Sequence, residues 1–353
     1  MLKARINTKT IHRNLKTLRA KLNPGVKVCA VLKANAYSLG DIQIAKAIDA
    51  HVDWFATAKI SEAIRLREMA GVTKHILLFG VCDDIKAAIA QNITVTVSTF
   101  EEMQNVCDAV SVLRARIHVH IKVNTGMNRF GITSPWQLKK LLTMADGYPE
   151  IIIGGLYTHM SHEMDNQPVI DQQLKRFTPF RAMMRRHHPR AIIHAACSGS
   201  SEHQPAQFDM VRVGKALYGG YYGYRTAITL TAKICAVQNV PKNCGVSYGA
   251  KFIAPHPMTI GIVSCGYADC GFLNLGYTTH VYVGKTPCKI VGAVCMDNFA
   301  IDVTNITNPL GKSITLIADN NKSSLVNFIQ ESKRSACPLL CSLNFNRTEV
   351  SYN

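Results

Sequence analysis

Apolar and polar positions follow one rhythm through the first two thirds of the chain and another after it. Short apolar runs recur at 26–33, 53–58, 75–79, 93–97, 116–123, 152–158, 191–196 and 208–213. Between them lie longer stretches with helical spacing, among them 61–70 and 168–186. Runs that are apolar on both faces belong inside a parallel sheet. Strand–helix alternation repeated eight times predicts a (β/α)8 barrel of the TIM type. A doubly wound open sheet is the competing arrangement. No Gly-x-Gly-x-x-Gly follows the first run, which argues against a dinucleotide site there. Near residue 226 the pattern changes to strands and turns. Ile228–Val237, Thr259–Ser264, His280–Val283 and Lys289–Ala293 read as strands, punctuated by Pro241, Pro255, Pro257 and Pro287. The pattern therefore predicts an α/β chain with a barrel over 1–225 and a mostly-β C-terminal domain over 226–353. Within the latter, 323–331 reads as an amphipathic helix and 337–352 as a closing strand region.

At 353 residues the chain has room for one large and one smaller domain, and its 47% hydrophobic content is that of a globular protein. No stretch approaches the ~20 apolar residues of a membrane span. The opening Met1-Leu2-Lys3-Ala4-Arg5 lacks the apolar core of a signal peptide, so a cytoplasmic protein is expected. Twelve scattered cysteines form no CxxC pair, which favours buried reduced thiols and gives no zinc-ligand spacing. The net charge of +17 favours anionic partners. The densest basic group, Arg185-Arg186-His187-His188-Pro189-Arg190, reads as a solvated helix end. No nucleic-acid-binding motif accompanies it.

Lys33 closes the first apolar run. A lysine at the carboxyl end of a buried strand either snorkels to solvent or loses water, which favours a neutral, Schiff-base-forming amine. Barrel chemistry lies at the carboxyl ends of the strands. There the sequence places Lys122 and Arg129 around strand five, His159 after strand six, Ser198 after strand seven, and Arg212 and Gly214 at strand eight. Ser198, Gly199 and Gly214 offer small residues and backbone N–H groups suited to a phosphate, although each glycine alone can be a plain turn. A reactive lysine with a phosphate cradle suggests pyridoxal phosphate (PLP). The second domain adds Gly266-Tyr267-Ala268-Asp269 and Cys295-Met296-Asp297. Tyr267 is either a packing residue or an acid/base.

These motifs carry a resemblance. Ala30-Val31-Leu32-Lys33-Ala34-Asn35-Ala36-Tyr37 resembles the PLP-lysine signature of alanine racemases, with Asn35 where Asp is common. Asn124-Thr125-Gly126-Met127-Asn128-Arg129, Tyr157-Thr158-His159, Arg212-Val213-Gly214, Gly266-Tyr267-Ala268-Asp269 and Cys295-Met296-Asp297 follow in the family's order, so the resemblance spans nearly the whole chain.

The resemblance implies that Lys33 binds PLP covalently and then serves as one of two bases. Tyr267 of the partner subunit in a head-to-tail homodimer is the other. Arg212 would face the pyridine nitrogen, and His159 would link Arg212 to Tyr267. Arg129 would bind the substrate carboxylate with help from Met296, and Lys122 stands where the family can carry a carbamate. Tyr37, Ser198, Gly214 and the backbone of Lys215 would hold the phosphate. No metal and no membrane or specific nucleic-acid partner is implied. The activity implied is interconversion of L- and D-alanine, supplying D-alanine for peptidoglycan in a bacterium. A serine or broad-specificity racemase, a non-catalytic PLP-binding homologue and a decarboxylase are the alternatives. Departures from the family cluster in the second domain. Asn124 replaces an Asp, Cys270-Gly271-Phe272-Leu273 follows the Tyr267 motif, and Ala293 stands where Arg is usual. Ala250 and Lys251 replace Arg and Thr, and a pocket-lining tyrosine expected near Phe345 is not evident.

Overall fold

The structure is a computed structural model that describes residues 2–274, 280–320 and 322–353. Its contacts divide the chain into two compact units.

The first unit comprises residues 15–36 and 40–214. Its eight parallel strands are Lys27–Val31, Trp54–Thr57, Ile76–Leu78, Val95–Val97, Ile117–Lys122, Ile151–Tyr157, Ile192–Cys197 and Met210–Val213. Each falls within or against an expected run. The first strand pairs with the last, Lys27 opposite Met210. Closure is completed by a parallel bridge from Leu77 to Thr94, with Leu78 N donating to Thr94 O at 2.9 Å. The sheet is a closed barrel, as the eightfold alternation predicts. Helices Ile60–Ala70 and Gln167–His187 stand where the helical spacing put them.

Side chains on a strand alternate between faces, so residues two apart share the barrel interior. Cys29, Val31, Trp54, Ala56, Leu77 and Met210 pack together as an apolar layer. On the same face as Met210 is Arg212, one step nearer the carboxyl end; His120 and Lys122 repeat the pattern on their strand. Both cations are buried. A polar layer thus lies above an apolar one.

The second unit comprises residues 1–14, 37–39 and 215–353. The strand Ile228–Val240 pairs with Met258–Val263 on one side and Ser313–Ile317 on the other. The ring closes through Phe299–Asp302, Thr286–Val291 and His280–Val283. Two expectations change here. Leu2–Ile6 is not part of the barrel: it lies between Ile228–Val240 and Thr348–Tyr352, antiparallel to one and parallel to the other. The boundary expected at 225/226 therefore misses the N-terminal residues, which cluster with the C-terminal sheet. The region 337–352 is only partly a strand. Ser335 caps a helix, Ala336–Cys341, by accepting from Cys337 N at 3.3 Å, and the strand begins at Thr348. The expected helix at 323–331 is Leu325–Ser332, capped by Ser324. No helix among the described residues is long and apolar enough to cross a membrane.

Candidate active site

The barrel unit gathers seven of the expected residues at the carboxyl ends of its strands: Lys33, Lys122, Arg129, His159, Ser198, Arg212 and Gly214.

Lys33 opens a short helical segment, Lys33–Ser38, of unusual hand. Residues 34–38 all have positive φ, between 51° and 60°, and none is glycine. This is a left-handed turn, which costs L-residues roughly 1–2 kcal/mol each. Side chains hold it in place. Glu62 accepts from Ala34 N at 2.7 Å and, through its other oxygen, from Ala58 N at 2.9 Å. Asn35 Oδ1 accepts from Asp41 N at 3.0 Å and from Arg65 at 3.2 Å. Arg65 also pairs with the buried Asp41 at 2.5 Å. The turn takes the main chain sharply away from the strand end, leaving Lys33 half-buried there. Glu62 and Arg65 were not singled out by the sequence, where they look like solvated helix residues.

Arg129 is on the loop after the fifth strand, which folds back so that Val123 bridges Ile132. Asn124 Oδ1 accepts from Gly126 N and Asn128 N, both at 3.0 Å, forming the turn. Gly131 has φ +115°, and a Cβ there would fall 2.7 Å from Asn124 N, so only glycine fits. Buried Gln173 joins this loop to the next. Its amide donates to Thr125 Oγ1 at 3.1 Å and to His159 O at 3.2 Å. It too was missed, being one polar residue within an otherwise periodic helix.

Arg212 is 2% exposed and meets no carboxylate among the described residues. It donates to Thr158 O at 2.9 Å, Ala195 O at 3.0 Å, His194 Nδ1 at 2.7 Å and His159 Nδ1 at 3.2 Å. The link from Arg212 to His159 is thus present. Tyr157 lies beneath the cations, its ring 5.2 Å from the Arg212 guanidinium carbon and 5.5 Å from Lys122 Nζ. Burial pushes the Tyr157 phenol up to about 12, and its hydroxyl pairs with Thr96 at 3.0 Å. Burial, with Arg129 and Arg212 nearby, lowers the Lys122 ammonium to about 8. Burial and the same cations hold His159 well below the usual histidine range.

Ser198 Oγ accepts from Gly214 N at 3.1 Å, which joins the seventh and eighth strand ends. At Gly199 a Cβ would collide with Glu163 at 2.5 Å. The loops here approach closely enough to need small residues.

The other four expected residues belong to the second unit. Buried Tyr37 has its ring 5.5 Å from that of Tyr218, and Lys215 Nζ is 5.2 Å from the Tyr221 ring. Tyr267 and Met296 are brought together on neighbouring loops. Tyr267 N donates to Cys295 O and Ala268 N to Met296 O, both at 3.0 Å. A Cβ at Gly266 would fall 2.2 Å from Met296 O, so the approach depends on glycine. Tyr267 and Met296 are both exposed, at 38% and 53%.

Comparison with known proteins identifies the family. The alanine racemase N-terminal domain model matches residues 6–222, and the C-terminal domain model matches residues 227–352. The chain belongs to the alanine racemase family. The alanine racemase of Synechocystis is 33% identical over 324 residues, covering 87% of this chain and 86% of that protein. An alanine racemase from a D-cycloserine-producing Streptomyces lavendulae superposes with a TM-score of 0.92 at 26% identity, covering 100% of this chain and 97% of that one. That of Bacillus anthracis, solved with bound L-Ala-P, gives 0.88 at 27% identity, covering 100% and 95%.

The family implies PLP, and the donor set of the barrel unit fits that group. Lys33, Lys122, Arg129 and Arg212 all raise the local positive potential felt by His159. Of these, Arg212 is buried with no carboxylate partner among the described residues, which calls for an anionic occupant nearby. A phosphorylated aldehyde carrying a phenolic oxygen is of that kind.

Proposed function

We propose that this chain racemises alanine with pyridoxal phosphate as its cofactor. The observation that carries the reading is Arg212, a buried guanidinium met, among the described residues, only by neutral acceptors at the barrel mouth. Lys33 would hold the cofactor through its ε-nitrogen. Tyr37, Ser198, Gly214 and the backbone N–H of Lys215 would hold the phosphate. When bound, the group acidifies the Cα–H of an attached amino acid.

This chain's side chains would then handle the proton. Lys33 Nζ removes or returns it on one face of Cα. The Tyr267 hydroxyl of the partner subunit serves the opposite face. A proton taken from one face and given to the other inverts Cα, and exchanging the two roles runs the reaction backwards. Arg212 will not surrender a proton, since a guanidinium keeps its charge inside proteins. It would therefore leave the ring nitrogen unprotonated and limit charge delocalisation, which disfavours transamination. Arg129 offers a planar fork to the substrate carboxylate, aided by Met296 of the partner subunit. Lys122, with its ammonium lowered to about 8, has a neutral fraction that carbon dioxide can convert to a carbamate. That anion would steady Arg129.

The working form is a homodimer with shared sites, in keeping with the exposure of Tyr267 and Met296. We place it in the cytoplasm, supplying D-alanine for peptidoglycan. The deciding experiment is borohydride reduction of the purified yellow protein with peptide mapping, alongside chiral analysis of either alanine enantiomer. Label on Lys33 and convergence to a racemic mixture are expected. Label elsewhere, or unchanged enantiomers, overturns the reading.

A further inference from the structure

Beneath Arg212 runs a chain of imidazoles with no stated role. Arg212 Nη1 is 2.7 Å from His194 Nδ1, and His194 Nε2 is 2.9 Å from His120 Nδ1. A guanidinium only donates. His194 Nδ1 must therefore accept, which puts the His194 proton on Nε2. His120 Nδ1 must accept in its turn, which puts the His120 proton on Nε2 as well. One cation thus fixes two tautomers.

The barrel is shaped to admit this second ring. A Cβ at Gly155 would fall 2.6 Å from the His120 imidazole, so the adjoining strand has no side chain there. Trp54 lies 5.3 Å away at a tilt of 43°, and the His194 ring stacks on Tyr157 at 4.7 Å. His120 Nε2 is buried and has no hydrogen-bond partner among the described residues. An orphaned N–H in a core carries a desolvation cost that phenylalanine or leucine would avoid. Stability alone therefore disfavours histidine at this position.

We propose that His120 is a positioning residue for the racemisation, holding Arg212 in place through His194. Its Nδ1 lone pair captures the His194 Nε2–H, which keeps the His194 Nδ1 lone pair turned up to Arg212. In the opposite tautomer, His194 would set an N–H against the guanidinium. Among the described residues the other acceptors of Arg212 are two carbonyls and His159 Nδ1, so each group seen to aim it is neutral. Its charge is left undiminished for the site above. This rests on the reading that Arg212 faces the cofactor ring nitrogen.

The test has two arms. Nitrogen-15 imidazole spectra of the unloaded protein are expected to show His120 and His194 both neutral and both protonated on Nε2. A proton on His120 Nδ1, or an imidazolium at either position near neutral pH, overturns the proposal. These spectra are read without cofactor or substrate, so they stand apart from whether alanine is the substrate. In the holoenzyme, His120→Phe keeps a ring and removes the acceptor, whereas His120→Asn keeps an acceptor near the Nδ1 position. His120→Phe is expected to lower kcat about ten-fold with KM little changed, and His120→Asn to recover most of that loss. Equal activity in wild type and both variants, or equal loss in both, overturns it.

Discussion

Arg347 Nε donates to Asp269 Oδ1 at 2.9 Å, and the same guanidinium reaches Asp297 Oδ1 at 2.5 Å. One arginine near the end of the chain therefore binds both motif loops of the second unit, those carrying Tyr267 and Met296. Asp269 also accepts from Gly266 N at 2.8 Å, so it anchors the loop from within. Arg347→Ala should lower kcat by ten- to a hundred-fold, the order expected when a reacting group shifts by about 1 Å. Steady-state kinetics beside a thermal melt checks this. A variant with wild-type turnover would mean the loops hold their places without the clamp.

Gly266 sets a steric limit on the same pair of loops. Gly266→Ala puts a methyl group 2.2 Å from a carbonyl oxygen, so backbone must move. A loss of about 1–3 kcal/mol is expected from overpacking of this kind. Denaturant unfolding measures it, and a neutral result contradicts the close approach.

The left-handed turn after Lys33 makes an unusual prediction. In a right-handed helix, replacing alanine by glycine costs about 1 kcal/mol. At exposed Ala34, with φ 53°, the same change relieves strain instead. Ala34→Gly should leave the melting temperature unchanged or raise it. A fall of several degrees would argue for ordinary helical geometry.

The buried histidines set the acid limit. Burial lowers His120 to about 3 and holds His194 and His159 well below the usual range. In the unfolded chain each takes up a proton near pH ~6.5. Below that pH the unfolded state binds more protons than the fold, so stability rises with pH in this window. Stability should be level with respect to these groups above pH ~6.5 and fall as the solution is acidified from there. His120→Phe should flatten the fall, which urea midpoints between pH ~5 and ~7 would reveal.

The barrel was legible because its signal is local. Eight apolar runs, each a few residues long, needed only their own composition to be read as strands. Motif residues were legible for the same reason: Lys33, His159 and Arg212 sit at strand ends that the runs define. What escaped depends on distant partners. Leu2–Ile6 alternates cleanly between buried and exposed positions, yet its partners lie beyond residue 227. Glu62, Gln173 and Arg347 acquire their parts only when separate loops meet. Nothing in the sequence links His120, which shares its strand with His118, to His194, and only the closed barrel brings their nitrogens within 2.9 Å. The left-handed turn left no trace, since glycine, its usual marker, is absent from residues 34–38.

Lys3 and Glu349 form an ion pair across 346 positions of sequence. The strand carrying Lys3 precedes the whole barrel in the chain, yet one of its two hydrogen-bonding edges is matched only by residues 348–352. During synthesis that edge stays open while the barrel, whose strands are complete by residue 213, can already close. An unmatched edge is a template for intermolecular pairing. Nascent chains stalled between these two points should therefore be the aggregation-prone ones, and chaperone demand should be highest in that interval.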